Sequence, residues 1–218
     1  MTDDNPTSTP AIPVPAAGAP STSVLLARAR SDREALDRLH DRLVAAAARD
    51  GLLDVAYTTV DTPIGSLLLA ATDKGLVRVA FAGEDHDKVL DTLTARLGPR
   101  ILRAPGRLAR AARQLDEYFD HSRTSFDLDL DLVLSTGFRQ LVQRRLPEIG
   151  YGHTFSYADV ARMVGNPQAV RAVGSACASN PLPIVLPCHR VLRSDGTLGG
   201  YAGGIAIKSA LLSLEAGP

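Results

Sequence analysis

The chain of 218 residues has no tryptophan, two methionines and only two cysteines, Cys177 and Cys188. Two thiols cannot build a disulfide framework or a multi-cysteine zinc site, so neither is expected to hold the fold together. An excess of one charge is also missing: 24 Lys and Arg balance 24 Asp and Glu. The chain as a whole therefore exerts no electrostatic pull on nucleic acid or membrane. No run approaches the roughly 20 apolar residues of a membrane-spanning helix. At the N-terminus, Asp3, Asp4 and prolines stand where a secretion signal needs positive charge and an apolar core. The cytoplasm, with both thiols reduced, is the default expectation.

What is present is the composition of a soluble globular protein, 45% hydrophobic and 22% charged. The neutral average hides an asymmetry. From Leu134 onward eight Lys and Arg face four Asp and Glu, a positive lobe that permits polyanion binding. Residues 1–22 hold five prolines and almost no large apolar side chain, so this tail is expected to be disordered. Ser31 with Glu34 has the form of a capping box. Leu36, Leu39, Leu43, Val44 and Ala47 follow at helical spacing and Gly51 stops the run. This predicts an amphipathic helix of about four turns within 23–52, able to dock on the body or to meet a partner.

The segment 53–133 reads as one mixed α/β domain. Val55, Tyr57 and Val60 lead into the turn Thr62-Pro63-Ile64-Gly65; Leu67–Ala70 follow. After Asp73-Lys74-Gly75 come Leu76, Val77, Val79 and Phe81, completing a three-stranded antiparallel meander. Two helices come next, one with Val89, Leu90, Leu93 and Leu97 on a face, the other with Leu108, Ala111, Leu115 and Phe119. Residues Phe126–Leu132 alternate Asp with apolar side chains, the pattern of a half-buried strand closing the domain. Asp127, Asp129 and Asp131 lack the central glycine of a calcium loop and are read as the solvent face of that strand.

The segment 134–218 is mostly helical. Phe138, Leu141, Val142 and Leu146 share a face. Ser156 can cap a helix from Tyr157, Gly165-Asn166-Pro167 turns the chain, and Gln168–Ser179 can form a second helix. Two short helices about a glycine-containing turn have the form of a helix-turn-helix. The apolar run Ile184-Val185-Leu186, read as a buried strand, leads directly to Pro187-Cys188-His189-Arg190, and Gly199-Gly200-Tyr201-Ala202-Gly203-Gly204 follows. A thiolate is the nucleophile in cysteine chemistry, and a neighbouring histidine can take its proton. Backbone rich in glycine can approach a planar ligand closely.

Asn180-Pro181, Pro187-Cys188-His189-Arg190-Val191, Tyr201-Ala202-Gly203-Gly204 and Glu215 stand in the order and spacing of the O6-alkylguanine-DNA alkyltransferases, which the chain resembles from about Leu53 to Gly217. Ser156-Tyr157, Gly165-Asn166-Pro167 and Arg171-Ala172-Val173-Gly174 extend the match. The resemblance implies an N-terminal α/β domain with an antiparallel, ribonuclease-H-like sheet and a C-terminal helix-turn-helix or winged-helix-like domain. It implies repair by direct reversal. An alkyl group on O6 of guanine, or O4 of thymine, would pass once and irreversibly to Cys188.

In that scheme His189 is the base through a water, Glu215 orients the imidazole, and Asn180 braces the turn. Tyr157 assists guanine as leaving group. Arg171, carried with Ala172 and Gly174 on a helix in the minor groove, fills the gap left by the flipped base. Val191, Tyr201, Ala202 and Gly203 wall the pocket. The implied partner is double-stranded DNA bearing the lesion, with no cofactor, no metal and no membrane, and a monomer is expected. Cys177 is read as a small packing residue. Ala202 stands where many relatives carry serine, and 1–52 exceeds the family pattern. A lesion-recognition protein without catalysis, a winged-helix regulator and a cysteine hydrolase are the competing readings; the presence of Cys188 opposes the first.

Overall fold

A computed structural model of the chain describes residues 21–217. The disorder expected for 1–22 lies outside the described residues as far as residue 20, and Thr22 already opens the first helix. That helix, α1 (Thr22–Arg49), is 28 residues long, roughly twice the expected length. Ser31 and Glu34 lie in its interior and cap nothing. The run Leu25–Arg30 consists of strong helix formers, and no glycine or proline interrupts residues 21–50, so the helix propagates through the apparent start signal. Gly51 does end it, with the Leu52 N–H reaching back to Ala47 O at 2.8 Å.

The chain divides into two compact units between Arg42 and Leu43. In the first, Leu25, Leu26, Leu36 and Leu39 of α1 are exposed. In the second, Val44 and Ala47 of the last turns of α1 pack on Leu53, Ala56 and Ala104.

The second unit is built on a four-stranded sheet. Strands β1 (Val55–Thr62), β2 (Gly65–Thr72) and β3 (Gly75–Phe81) form the expected antiparallel meander. A short β4 (Ile101–Arg103) joins β1 in parallel, giving the order β3-β2-β1-β4. Helix α2 (His86–Leu97) lies before β4 and α3 (Pro105–Phe119) after it. Alternate residues of β2 serve opposite faces of the sheet. Leu68 and Ala70 meet Val89 and Leu93 of α2, whereas Leu67 and Leu69 meet Leu108, Leu115 and Tyr118 of α3.

Residues Phe126–Leu132 do not form the expected strand. They run extended beside β3 with a single parallel bridge, Leu76 to Leu130. Their other backbone groups go elsewhere: the Gln114 amide brackets Asp127, donating to its carbonyl and accepting from its N–H, both at 2.9 Å. Asp127 and Asp129 face solvent as expected, but Asp131 is buried and accepts from Thr72 Oγ1 at 2.7 Å, and a side chain takes the place of a neighbouring strand.

Helix α4 (Gly137–Arg145) begins the C-terminal part. Val142 and Leu146 are buried as expected, but Leu141 is exposed and Gln143 is buried instead, its amide donating to Ala176 O at 3.1 Å. Next come β5 (Phe155–Ser156), α5 (Tyr157–Met163), α6 (Val170–Ala178), β6 (Val191–Leu192), which pairs in parallel with β5, and α7 (Ile205–Ala216). Ile184–Leu186 is fully enclosed yet is not a strand: Ile184 has φ 74°, and Leu186 N–H bonds Leu182 O at 2.8 Å within a tight turn. The two sequence segments expected as separate domains share one core, which runs from Leu67, Leu115 and Tyr118 to Val142, Val173, Ile184 and Leu211.

Candidate active site

Cys188 opens a 3₁₀ turn, Cys188–Arg190, and is only 3% exposed. The turn before it is shaped by one side chain. Asn180 Nδ2 donates to Leu186 O at 2.7 Å and to Cys188 Sγ at 3.2 Å, while its Oδ1 accepts from Leu182 N at 3.0 Å. Asn180 thus satisfies backbone that no strand partner reaches and points an N–H at the sulfur. From the sheet side, Val79 N–H and Arg78 Nη1 both donate to Pro181 O, at 2.8 and 3.3 Å. Burial raises the thiol and the Asn180 hydrogen bond opposes it, leaving Cys188 pushed up to about 11.

His189 is wholly buried. Its Nε2–H donates to Glu215 Oε1 at 2.8 Å, and its Nδ1 has no partner among the described residues. The bond to Glu215 places the proton on Nε2, so Nδ1 carries the lone pair. Burial holds the imidazole below the ordinary histidine value, against the pull of Glu215.

Glu215 comes from α7 and is the most heavily bonded carboxylate of the site. Arg190 meets it in a two-pronged pair, Nε to Oε2 and Nη2 to Oε1, both at 2.8 Å. Tyr118 O–H donates to Oε1 at 2.7 Å and Gly152 N–H to Oε2 at 3.3 Å. Burial acts to raise this acid, but the hydrogen bonds from His189, Arg190 and Tyr118 outweigh it and hold it near 2.

The structure therefore gathers Cys188, His189, Asn180 and Glu215 into one buried cluster. Tyr201 stands edge-on to His189, ring centroids 6.4 Å apart, and packs on Phe81 at 5.5 Å. Its buried hydroxyl has no partner among the described residues. Two glycines permit close approaches here. A Cβ at Gly199 would collide with the Tyr157 hydroxyl, and one at Gly203 would sit 3.0 Å from the Phe81 ring. Tyr157 begins α5, and burial followed by the charges of both thiols raises its phenol. Val191 is buried, and Ala202 lies with Asn180 and Pro181 on a cavity of about 310 Å³ that Cys188, Val191, Tyr201 and Gly203 do not line.

Arg171 and Ala172 lie on the exposed face of α6, whose opposite face buries Val173, Ala176 and Cys177, and Gly174 lies beside the Tyr157 ring. Burial raises the Cys177 thiol well above its ordinary range.

Three residues of the site were not singled out by reading the sequence. Arg190 stood in the motif without a role. Tyr118 stands beside Phe119, outside the set Leu108, Ala111, Leu115 and Phe119 that marks the apolar face of α3, and no sequence pattern points to it. Lys208, buried with its Nζ donating to Val191 O at 2.6 Å, did give a signal: it is the lone charged residue in the mostly apolar run Ile205–Leu214.

The chain is also similar to known proteins. Residues 55–132 match the ribonuclease-like domain of 6-O-methylguanine DNA methyltransferase, and residues 137–217 match its DNA-binding domain. The methylated-DNA–protein-cysteine methyltransferase of Mycolicibacterium paratuberculosis is 41% identical over 161 residues, covering 74% of this chain and 92% of that protein. The constitutive enzyme of Bacillus subtilis is 42% identical over 160 residues, covering 73% and 94%. The crystal structure of the Mycobacterium tuberculosis O6-methylguanine methyltransferase superposes with a TM-score of 0.66 at 40% identity, covering 74% of this chain and 93% of that one. A structure of the same organism's protein in complex with DNA gives 0.64 at 41%. With both of its domains matched and two-fifths of the aligned residues identical, the chain belongs to the 6-O-methylguanine DNA methyltransferase family.

Proposed function

We propose that this chain repairs DNA by direct reversal, acting as a methylated-DNA–protein-cysteine S-methyltransferase that works once. The observation that carries the reading is the buried thiol with an Asn180 N–H on its sulfur, followed in sequence by an imidazole whose free nitrogen is Nδ1. A water between Nδ1 and Sγ would pass the thiol proton to His189. The thiolate then attacks the alkyl carbon in line. The C–S bond forms as the C–O6 bond breaks, and the electron pair leaves on guanine, whose N3 takes a proton or hydrogen bond from Tyr157. Glu215 keeps the imidazole oriented and balances its charge.

The target atom lies inside the duplex, so the base must leave the stack. Arg171, exposed at the start of α6, is the side chain that fills the gap; Ala172 and Gly174 are small enough to let the helix lie close in the minor groove. Val191, Tyr201, Ala202 and Gly203 wall the pocket. The partner is double-stranded DNA carrying O6-alkylguanine, the protein acts as a monomer, and the cytoplasm is where it meets that substrate. No helix among the described residues is long and apolar enough to cross a membrane. A thioether has no good leaving group, so the alkylated protein is not restored.

Incubation with a duplex containing O6-methylguanine, followed by peptide mass spectrometry, tests the proposal. One equivalent of protein should consume one equivalent of lesion, with one methylene's mass gained on the peptide containing Cys188. Cys188→Ala should bind the duplex and transfer nothing. Repeated turnover, or label on Cys177, would overturn the reading.

A further inference from the structure

Glu215 Oε1 accepts from three donors at once: His189 Nε2, Arg190 Nη2 and the Tyr118 hydroxyl. The third reaches the carboxylate from α3, in the sheet half of the unit, 97 residues away in the chain. Tyr118 is fully buried, and its ring is wedged among Phe119, Phe126 and Tyr151 with centroids 5.3, 5.5 and 6.1 Å away. The hydroxyl therefore has one place to point.

We propose that Tyr118 is a positioning residue of the alkyl-transfer site, moderating through Glu215 how strongly the carboxylate holds the His189 imidazole. This deepens the function proposed above and rests on it. The argument is electrostatic. Each donor on Oε1 withdraws negative charge from the oxygen that faces His189, and in a buried site that withdrawal is poorly screened. Arg190 already neutralises the carboxylate with two bonds, so Tyr118 is not needed to make its burial tolerable. What the hydroxyl adds is a weaker grip on the imidazole, which favours the neutral, proton-accepting form of His189. The other groups facing the pair are Lys208 from α7, Tyr151 beside Arg190, and Tyr201 edge-on to the imidazole. None of these three donates to Oε1.

Tyr118→Phe keeps the ring and removes the donor. Oε1 then holds the imidazolium more tightly, so His189 stays protonated to higher pH. The single-turnover rate of transfer from O6-methylguanine duplex, measured across pH, should keep its plateau within about twofold. Its acid limb should move up by about 0.5–1 pH unit, a threefold to tenfold loss of rate at the foot of the limb. Tyr151→Phe is the control: its hydroxyl bonds Leu214 O, and its limb should stay in place. Replacement of Tyr118 by 3-fluorotyrosine keeps a hydroxyl that donates more strongly. It should move the limb down, and it leaves no cavity to compromise folding. Alkylation of Cys188 by iodoacetamide across pH, read at the peptide, supplies a readout that needs no DNA. A limb that shifts with iodoacetamide while duplex is not repaired sustains the role of Tyr118 and overturns the proposed function. A limb that stays put with both electrophiles, the plateau falling instead, overturns the role of Tyr118.

Discussion

At the scale of a single residue, Asn180 does three things with one amide: it holds the Leu186 carbonyl, the Leu182 N–H and the Cys188 sulfur. Asn180→Ala leaves the Leu182 N–H buried without a partner and leaves the Leu186 carbonyl only the Cys188 N–H, a loss on the order of 1–3 kcal/mol. It also removes the donor that favours the thiolate. Chemical denaturation should show the first effect, and the pH dependence of Cys188 alkylation, moved to higher pH, should show the second; an unchanged alkylation profile would mean that the 3.2 Å contact does not act on the sulfur. Gly203→Ala is the steric counterpart. Its new methyl meets the Phe81 ring, so a cost of about 1–3 kcal/mol is expected, largely relieved when Phe81→Leu is added; simple additivity of the two changes would refute the contact. At this scale the motif residues were legible, because Cys188, His189, Asn180 and Glu215 stand in a specific order. Tyr118 was not legible, since its partner is 97 positions away and no local period reports such a meeting.

Among the elements, the short α5 depends most visibly on its cap. Ser156 Oγ accepts from Asp159 N–H at 3.1 Å, and Ser156 N–H donates to Asp159 Oδ2 at 2.8 Å, a reciprocal box on a helix of seven residues. Ser156→Ala should cost about 0.5–2 kcal/mol in the melting equilibrium. Transfer should also slow, because Tyr157 is the first residue of that helix; full activity in Ser156→Ala would show that the phenol is placed by other contacts. This cap was readable from the sequence, as were the β1–β2–β3 meander and the helical faces of α2 and α3. What escaped was of two kinds. β4 is three residues long, too short for any period to register. Phe126–Leu132 and Ile184–Leu186 have strand composition, but the Gln114 and Asn180 amides occupy backbone groups that a ladder would need. Composition reports which side chains face inward; it does not report who bonds the backbone.

At the scale of the whole molecule, the division at Arg42 and Leu43 predicts that a chain beginning at Leu43 keeps the fold and the activity. Its melting temperature and single-turnover rate should match those of the full chain, and loss of either would show that residues 1–42 support the site. Acid is expected to weaken the molecule for a specific reason. Both His189 and Glu215 have folded values below their ordinary ones of 6.5 and 4.5. Each therefore contributes stability that is present above its ordinary value and lost as pH falls through the folded one. Stability should decline below about pH 6.5, and again between 4.5 and about 2; Glu215→Gln should lessen the lower of the two declines, to which Asp54, Asp85, Asp159 and Asp195 also contribute, and a decline that persists unchanged would assign it wholly to those carboxylates. The site also has a history within each molecule's synthesis. Translation delivers Tyr118 first, the thiol of Cys188 much later, and Lys208 and Glu215 only with α7. Until that helix emerges and closes the 97-residue loop onto Tyr118, His189 lacks the carboxylate that orients it and Cys188 lacks its enclosure. Under the proposed function, a newborn chain therefore carries an ordinary thiol, and the capacity to be consumed by a lesion is acquired only once α7 is in place.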